Sequence, residues 1–388
     1  MKPRLLWVGD AVAHTGFATV THAVLDHLRH TWDVHVLGIN YRGDPHPYPY
    51  PIWPASRGMF DDDYGVQRFS DIVRRVQPHV VCILNDPWVV IRYVQAVQQY
   101  RKEHSVALCA YVPVDGLNID RRFTTDLNAF DAVITYTDFG YTVLQRGGFT
   151  KEKHVIPHGI DTALFTPVDR VRARQTIGLD PSWFIVGVVN RNQPRKRLDL
   201  TFEYFAAWAA DKPDTVKLYY HGAVVDVGWD IVAMADYYGI QDRLILTSLH
   251  LTPAQGIDRD KLCYVYSSFD VQFSTTMGEG WGLTTMEGMA CGVPQIVPEW
   301  AALAEWPRGA VYYVPCTMQL MHTGGINTVG GIADRAMSIQ ALDAFYHDPA
   351  LRESYASAGL ALVRHHKYRW STIAAQFSSV FTRYMPRY

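Results

Sequence analysis

The stretch Gly278-Glu279-Gly280-Trp281-Gly282-Leu283-Thr284-Thr285-Met286-Glu287-Gly288-Met289-Ala290-Cys291-Gly292-Val293-Pro294 lies between two short apolar runs, 271–274 and 295–297. Both runs read as buried strands, and residues 284–290 carry a helical pattern. Strand, glycine-rich loop, helix and strand make the repeating unit of a parallel α/β sheet. Three glycines within five residues allow the loop backbone to approach a ligand closely. The first amides of the helix that opens near Leu283 point back into that loop, which forms an anion site with a favourable dipole. Glu279 in the loop and Glu287 about one turn into the helix present two carboxylates to one pocket. Carboxylates suit the hydroxyls of a ribose or a sugar ring. The same residues read otherwise as a tight turn with Glu287 capping amides.

The pattern extends outward in both directions. Upstream, residues 5–8, 34–37, 80–84, 106–112 and 132–135 are short Val/Ile/Leu-rich runs without clean alternation. That is the signature of parallel strands covered on both faces. Amphipathic stretches at 20–28, 71–76 and 91–97 lie between them. Residues 165–182 break the pattern with Phe165-Thr166-Pro167, a charged segment and Asp180-Pro181. It then restarts, with strands at 184–189, 216–220, 244–246, 271–274, 295–297 and 311–314, and helices at 200–210, 230–238, 260–267 and 284–290. Further helical patterns cover 333–346, 348–363 and 370–383. The expected fold is α/β, with two Rossmann-like doubly wound domains facing a cleft, 1–168 and 169–366, and a final helix in 367–388. Ligands of such sheets bind at the carboxyl ends of the strands.

Composition agrees. The chain has 388 residues, enough for two domains, and 19% charged against 48% hydrophobic residues excludes disorder. A net charge of −2 excludes binding to nucleic acid or membrane through bulk charge, though not through a local patch. No apolar run approaches the ~18–20 residues that cross a bilayer, and the N-terminal apolar run is too short for a signal peptide. Five widely spaced cysteines without a Cys-x-x-Cys pair read as buried thiols. The expectation is a cytoplasmic protein without an integral membrane segment.

Two further blocks carry chemistry. Val189-Asn190-Arg191-Asn192-Gln193-Pro194-Arg195-Lys196-Arg197 follows the first strand of the second domain. Four cations in seven residues at a strand end suit a diphosphate clamp, or else form a solvated basic turn. Gly9-Asp10-Ala11-Val12-Ala13-His14-Thr15-Gly16-Phe17-Ala18 links the first strand to the first helix, with Gly16 placed for close backbone approach. The full Gly-x-Gly-x-x-Gly fingerprint and a Walker loop are both missing, which argues against a dinucleotide dehydrogenase and a P-loop NTPase.

These three blocks, in this order, resemble the family-4 type of retaining glycosyltransferases with the GT-B fold. Val155-Ile156-Pro157-His158-Gly159-Ile160-Asp161, with Phe165 and Pro167, is similar to that family's stretch at the end of the first domain. Asp270, Gly331-Ile332-Ala333-Asp334 and the helix from Trp370 also match, the last implying a C-terminal helix that crosses back onto the first domain. The resemblance implies roles. Arg191 and Lys196 would hold the diphosphate of a nucleotide-sugar and stabilise the leaving group. Glu279 would accept from the transferred sugar and Glu287 from the ribose. Gly280, Trp281, Gly282, Leu283 and Thr284 would line the donor, Gly16 would lie near the diphosphate and sugar, and Thr247 to Leu249 near the base. The donor's own phosphate would take the acceptor's proton, so no metal or cofactor is expected beyond a UDP- or GDP-linked donor.

This chain departs from the family at two points. Phe17 and Ala18 follow Gly16 where a second glycine is common. Pro113 stands where many members carry a histidine, with Asp115 two residues on. Asp115 reads either as a substitute hydroxyl acceptor in catalysis or as a turn residue before Gly116. Asp61-Asp62-Asp63 reads as helix capping rather than a metal motif. Asp86, Tyr48 and Trp53 are acceptor candidates. The last two lie in His46-Pro47-Tyr48-Pro49-Tyr50-Pro51-Ile52-Trp53-Pro54, which the prolines bar from regular structure. The expected function is transfer of a sugar from a nucleotide-diphosphate-sugar to an acceptor hydroxyl. The alternatives are a sugar-nucleotide-binding protein and another GT-B-like enzyme, an epimerase or a phosphorylase. The acceptor is a glycan, a small molecule or a modified DNA base, and the oligomeric state is open.

Overall fold

The computed structural model describes residues 2–56, 62–252, 256–323 and 326–386. Asp61 of the capping triplet lies outside them. Two compact units are present: 2–114 with 118–159 and the C-terminal segment from Lys367, and 160–366 with Asp115–Leu117. Residues 160–168 therefore pack with the second unit, where the Phe165 ring meets Tyr266 edge-on and the Val168 N–H donates to Ser267 Oγ.

Among the described residues, the first unit is built on seven parallel strands: β1 (Arg4–Asp10), β2 (Asp33–Ile39), β3 (Ile52–Pro54), β4 (Val80–Leu84), β5 (Ala107–Val112), β6 (Ala132–Thr135) and β7 (His154–Val155). Their spatial order is β3-β2-β1-β4-β5-β6-β7. Strands β4, β5 and β6 are buried at every position, so helices must cover both faces. The C-terminal helix, Trp370–Tyr384, packs on this unit, as expected of a crossing-back helix. Phe377 meets Trp7 edge-on at 5.7 Å, Trp32 Nε1 donates to Ser378 Oγ at 3.0 Å, and Arg383 pairs with Glu152.

The proline-rich segment corrects one expectation. Residues Ile52–Pro54 do form a strand, paired in parallel with β2. They lie at the sheet edge, where proline's missing N–H faces no partner strand. Ahead of them, Tyr48 stacks on the His22 ring with centroids 3.3 Å apart. His22 Nε2 donates to the Ala11 carbonyl, so its Nδ1 accepts from the Tyr50 hydroxyl, each at 2.7 Å. Burial lowers the His22 pKa to about 4 and keeps the ring neutral. Tyr48 and Tyr50 are thus tied to the first helix through His22. Asp62 accepts from the Tyr64 and Gln67 amides ahead of the helix Val66–Val76, which is the capping expected of the acidic triplet.

Among the described residues, the second unit has six parallel strands: β8 (Phe184–Val189), β9 (Val216–His221), β10 (Leu244–Leu246), β11 (Val271–Phe273), β12 (Gln295–Pro298) and β13 (Tyr312–Val314). They are ordered β10-β9-β8-β11-β12-β13. An antiparallel hairpin follows, β14 (Cys316–Met321) with β15 (Val329–Ala333). The main core joins Val186, Val188, Phe202, Phe205, Leu218, Phe273 and Ile296 with Leu342 and Phe345 of the helix Arg335–His347. Asp270, which precedes β11, accepts from the Ile185 amide and from Arg174 and Arg170. It ties the linker helix Arg170–Thr176 to the sheet, at the opposite end from the carboxyl termini.

Candidate active site

Strands β8 and β11 are hydrogen-bonded neighbours, yet the chain leaves β8 toward β9 on one side and β11 toward β12 on the other. At such a switch point the two outgoing loops diverge and leave a crevice at the strands' carboxyl ends. The loop from β8 is the basic turn, 190–197. The loop from β11 is the glycine-rich segment, 274–282. Topology alone therefore brings together two blocks some 80 residues apart.

The two loops are stitched by backbone and charge. The Met277 N–H donates to the Arg195 carbonyl at 2.8 Å. Lys196 Nζ donates to Glu279 Oε1 at 2.5 Å, and Arg195 Nη1 to Glu279 Oε2 at 3.1 Å and to the Gly278 carbonyl. Arg195 Nε meets Asp115 Oδ2 at 3.0 Å. Burial pushes the Glu279 carboxyl up, but Lys196 and Arg195 outweigh it and hold the pKa at about 2. Burial lowers the Lys196 pKa to about 8 against the pull of Glu279. Both groups are charged at neutral pH. Removing one partner of such a buried pair typically costs about 3–5 kcal/mol, because the other charge is stranded.

Asp115 enters this network by a route its position in the sequence conceals. Leu117 and Val329 exchange backbone hydrogen bonds, each 2.9 Å, which fastens residues 115–117 to the hairpin of the second unit. The expectation that placed Asp115 in the first domain is corrected by this pairing. Its carbonyl oxygen would lie 1.8 Å from a Cβ at position 278, so only glycine fits there. Gly282, with φ 94°, supplies the left-handed turn that opens the helix Leu283–Ala290. The Thr285 N–H already donates to the Gly282 carbonyl at 3.1 Å, and the Leu283 and Thr284 amides ahead of it lie at the positive end of the dipole.

The remaining expected site residues are placed separately. Glu287 is buried and accepts from the Tyr266 hydroxyl at 2.7 Å. Burial raises its pKa to about 7, against the hydrogen bond from Tyr266. Arg191 does not join the Lys196 network; it forks onto Asp226, with Nε to Oδ2 2.7 Å and Nη2 to Oδ1 3.3 Å. Thr247 Oγ1 lies 2.9 Å from His221 Nδ1 and 3.0 Å from Tyr219 Oη, while Leu249 is exposed. Gly280, Leu283 and Thr284 are half-buried. Trp281 is buried against Trp306, stacked at 4.8 Å, and its carbonyl accepts the Trp306 indole N–H. Arg195, Tyr266 and Asp226 were not singled out by the sequence. Only Arg195 left a signal, as one of the four clustered cations.

In the first unit, Gly16 begins the helix Gly16–Leu28, capped by Thr15, whose hydroxyl also donates to Asp10 at 2.7 Å. Asp86 precedes the short helix Pro87–Val90, and its own amide is bonded to Asn85 Oδ1. Trp53 lies in β3, with the Arg75 guanidinium 6.0 Å from its ring centroid.

The fold is that of the two-domain GT-B proteins. The chain superposes on sucrose-phosphate synthase from Thermosynechococcus elongatus with a TM-score of 0.76 at 19% identity, over 99% of both chains. It matches HepE of Anabaena, solved in complex with UDP-glucose, with a TM-score of 0.74 at 16% identity over 98% of this chain and 99% of that one. In sequence it is 34% identical over 146 residues to the D-inositol 3-phosphate glycosyltransferase of Mycobacterium sp. strain KMS. That match covers 37% of this chain and 30% of the relative, less than a third of its length. No protein-family model matches the chain. Among the described residues no helix is long and apolar enough to cross a membrane.

Proposed function

We propose that this chain is a glycosyltransferase that moves a sugar from a nucleotide-diphosphate-sugar to an acceptor hydroxyl, with retention and without a metal. One observation carries the reading. At the switch point of the second sheet, a buried lysine and a buried glutamate are locked charged beside a glycine loop and a helix N-terminus. Buried ion pairs of this kind add little net stability and concentrate at functional sites. It presents fixed cations and helix amides where a diphosphate gathers negative charge, and preorganised donors of this kind stabilise a departing anion efficiently.

In this reading Lys196 and Arg191 hold the diphosphate, and the amides of Gly282 to Thr285 share its charge. Glu279, kept ionised by Lys196 and Arg195, accepts from hydroxyls of the transferred sugar. Glu287 accepts from the ribose, Thr247 and Leu249 lie toward the base, and the donor is UDP- or GDP-linked. Asp115, held on Arg195, serves as a hydroxyl acceptor in place of the family's histidine. Gly16, Asp86, Tyr48 and Trp53 are assigned to the first unit's share of donor and acceptor binding. The acceptor class is a glycan or small molecule, with modified DNA retained. The curated relative and the UDP-glucose complex of HepE support the transferase class and the donor type.

The test is incubation of the purified chain with UDP-, GDP-, ADP- and dTDP-sugars while nucleotide release and thermal stability are followed. A bound donor raises the melting temperature by mass action. Stabilisation and slow nucleotide release with at least one donor are expected. Binding without release under any condition would favour the sugar-nucleotide-binding alternative, and no response to any donor would end both readings.

A further inference from the structure

The Arg191 side chain is half-exposed, but its partner Asp226 is not: the Asp226 side chain retains 5% of its accessible surface. Two guanidinium nitrogens of Arg191, Nε and Nη2, are engaged by the two oxygens of Asp226. A fork of this kind fixes the plane and direction of the guanidinium as well as its charge. Nη1 stays on the side turned away from Asp226.

The loop that carries Asp226, residues 222–229, is itself fastened to the basic turn. Asn192, which is fully buried, donates through Nδ2 to the Trp229 carbonyl at 2.6 Å and, at longer range, to the Ala223 and Val224 carbonyls. Its Oδ1 accepts from the Trp229 N–H at 2.9 Å, and its own carbonyl accepts from the Gly228 N–H at 3.1 Å. On either side of Asp226, Val225 and Val227 face solvent with 64% and 63% exposure. The loop exposes two apolar side chains while turning its one carboxylate inward onto Arg191. A loop shaped only by solvation would place these residues the other way round.

We infer that Asp226 is a positioning residue that orients Arg191 toward the donor's diphosphate, and that Asn192 holds the Asp226 loop in place for this purpose. The inference rests on the diphosphate reading proposed above. It adds a residue that lies outside both the basic turn and the glycine loop. Asp226 touches no substrate: it spends two of the arginine's donors so that the rest are presented in one fixed direction.

The experiment is a double-mutant cycle on the full chain, read by calorimetric titration with UDP and with GDP. Wild type, Asp226→Asn, Arg191→Gln and the double variant are compared, with melting temperatures in parallel. Asp226→Asn keeps the side-chain volume and removes the charge. It is expected to weaken binding of the preferred nucleotide on the order of tenfold, with no further loss once Arg191 is replaced. Asp226→Glu, which restores the carboxylate, is expected to recover part of that loss at an unchanged melting temperature. Full affinity in Asp226→Asn, or equal and additive losses in the two single variants, would overturn the inference while leaving the diphosphate reading intact. If Asp226→Asn fails to fold, Asp226→Glu carries the cycle, and additivity with Arg191→Gln overturns the inference in the same way. Absence of UDP and GDP binding by wild type would instead overturn the diphosphate reading, and the inference with it.

Discussion

The two parallel sheets share a strand-order reversal, between β1 and β4 in the first unit and between β8 and β11 in the second. Their carboxyl ends carry opposite chemistry. In the first unit the loop after β1 is organised by Asp10, a buried carboxylate that accepts from Thr15 at 2.7 Å and from Asn40 at 3.3 Å. Asn85 and Asp86 follow β4. Neither segment 11–15 nor segment 85–86 contains a lysine or arginine. In the second unit the loop after β8 brings Arg191, Arg195 and Lys196, and the loop after β11 answers with Glu279 and a helix N-terminus. In the reading proposed above, one topology serves hydroxyls in the first unit and an anion in the second. The difference lies in two short loops, and backbone geometry does not account for it.

The contrast can be broken most sharply at Lys196. Lys196→Ala removes the buried cation and leaves Glu279 with Arg195 alone, and turnover with the preferred donor is expected to fall about 10²–10³-fold. A turnover within a few-fold of wild type would remove Lys196 from the clamp. Glu287→Gln comes next, with an expected loss of roughly tenfold in nucleotide affinity, as when one hydrogen bond to a charged acceptor is lost. Unchanged affinity would take Glu287 out of the ribose role. Asp10→Asn tests the other side of the comparison. It should lower stability by about 1 kcal/mol through weaker bonds to Thr15 and Asn40, while calorimetric affinity for UDP and GDP stays as in wild type. A large loss of nucleotide affinity there would show that the two crevices do not divide their work in this way.

The pH dependence is a finer test. Glu287 accepts from a ribose only as a carboxylate, so nucleotide affinity should climb as pH rises through about 7. Lys196 holds a diphosphate only as an ammonium, so affinity should fall as pH passes about 8. Titrations across this range should give a maximum between the two values. Stability carries a related sign. The Glu287 pKa is raised in the folded state, so its contribution falls as pH rises from the ordinary glutamate value toward 7. Glu287→Gln should flatten that part of the stability profile, and an unaltered slope would contradict the raised value.

Much of the fold was readable because the strands of both sheets are continuous apolar runs buried on both faces. The pieces that escaped lack that signature. β3 contains proline and lies at an edge. β7 has two residues. The β14–β15 hairpin exposes Met318, Leu320 and Met321, so no alternation marks it. At the site, the two loops were legible from glycine spacing and clustered cations, because each is local. Asp115, Tyr266 and Asp226 reach their partners through backbone pairing, helix packing and a stapled loop, and spacing along the chain carries no trace of these. Contacts also decide what individual aromatic side chains do: Trp281 packs on Trp306, and Tyr48 covers His22.

The central claim is that the switch point of the second sheet binds the diphosphate of a nucleotide-sugar through Lys196. Calorimetric titration of wild type and Lys196→Ala with UDP and GDP at pH 7.5 tests it most directly. Saturable binding of at least one nucleotide by wild type is expected, with a loss on the order of tenfold or more in the variant. Equal affinity in the two proteins, or no binding of either nucleotide by wild type, would contradict it.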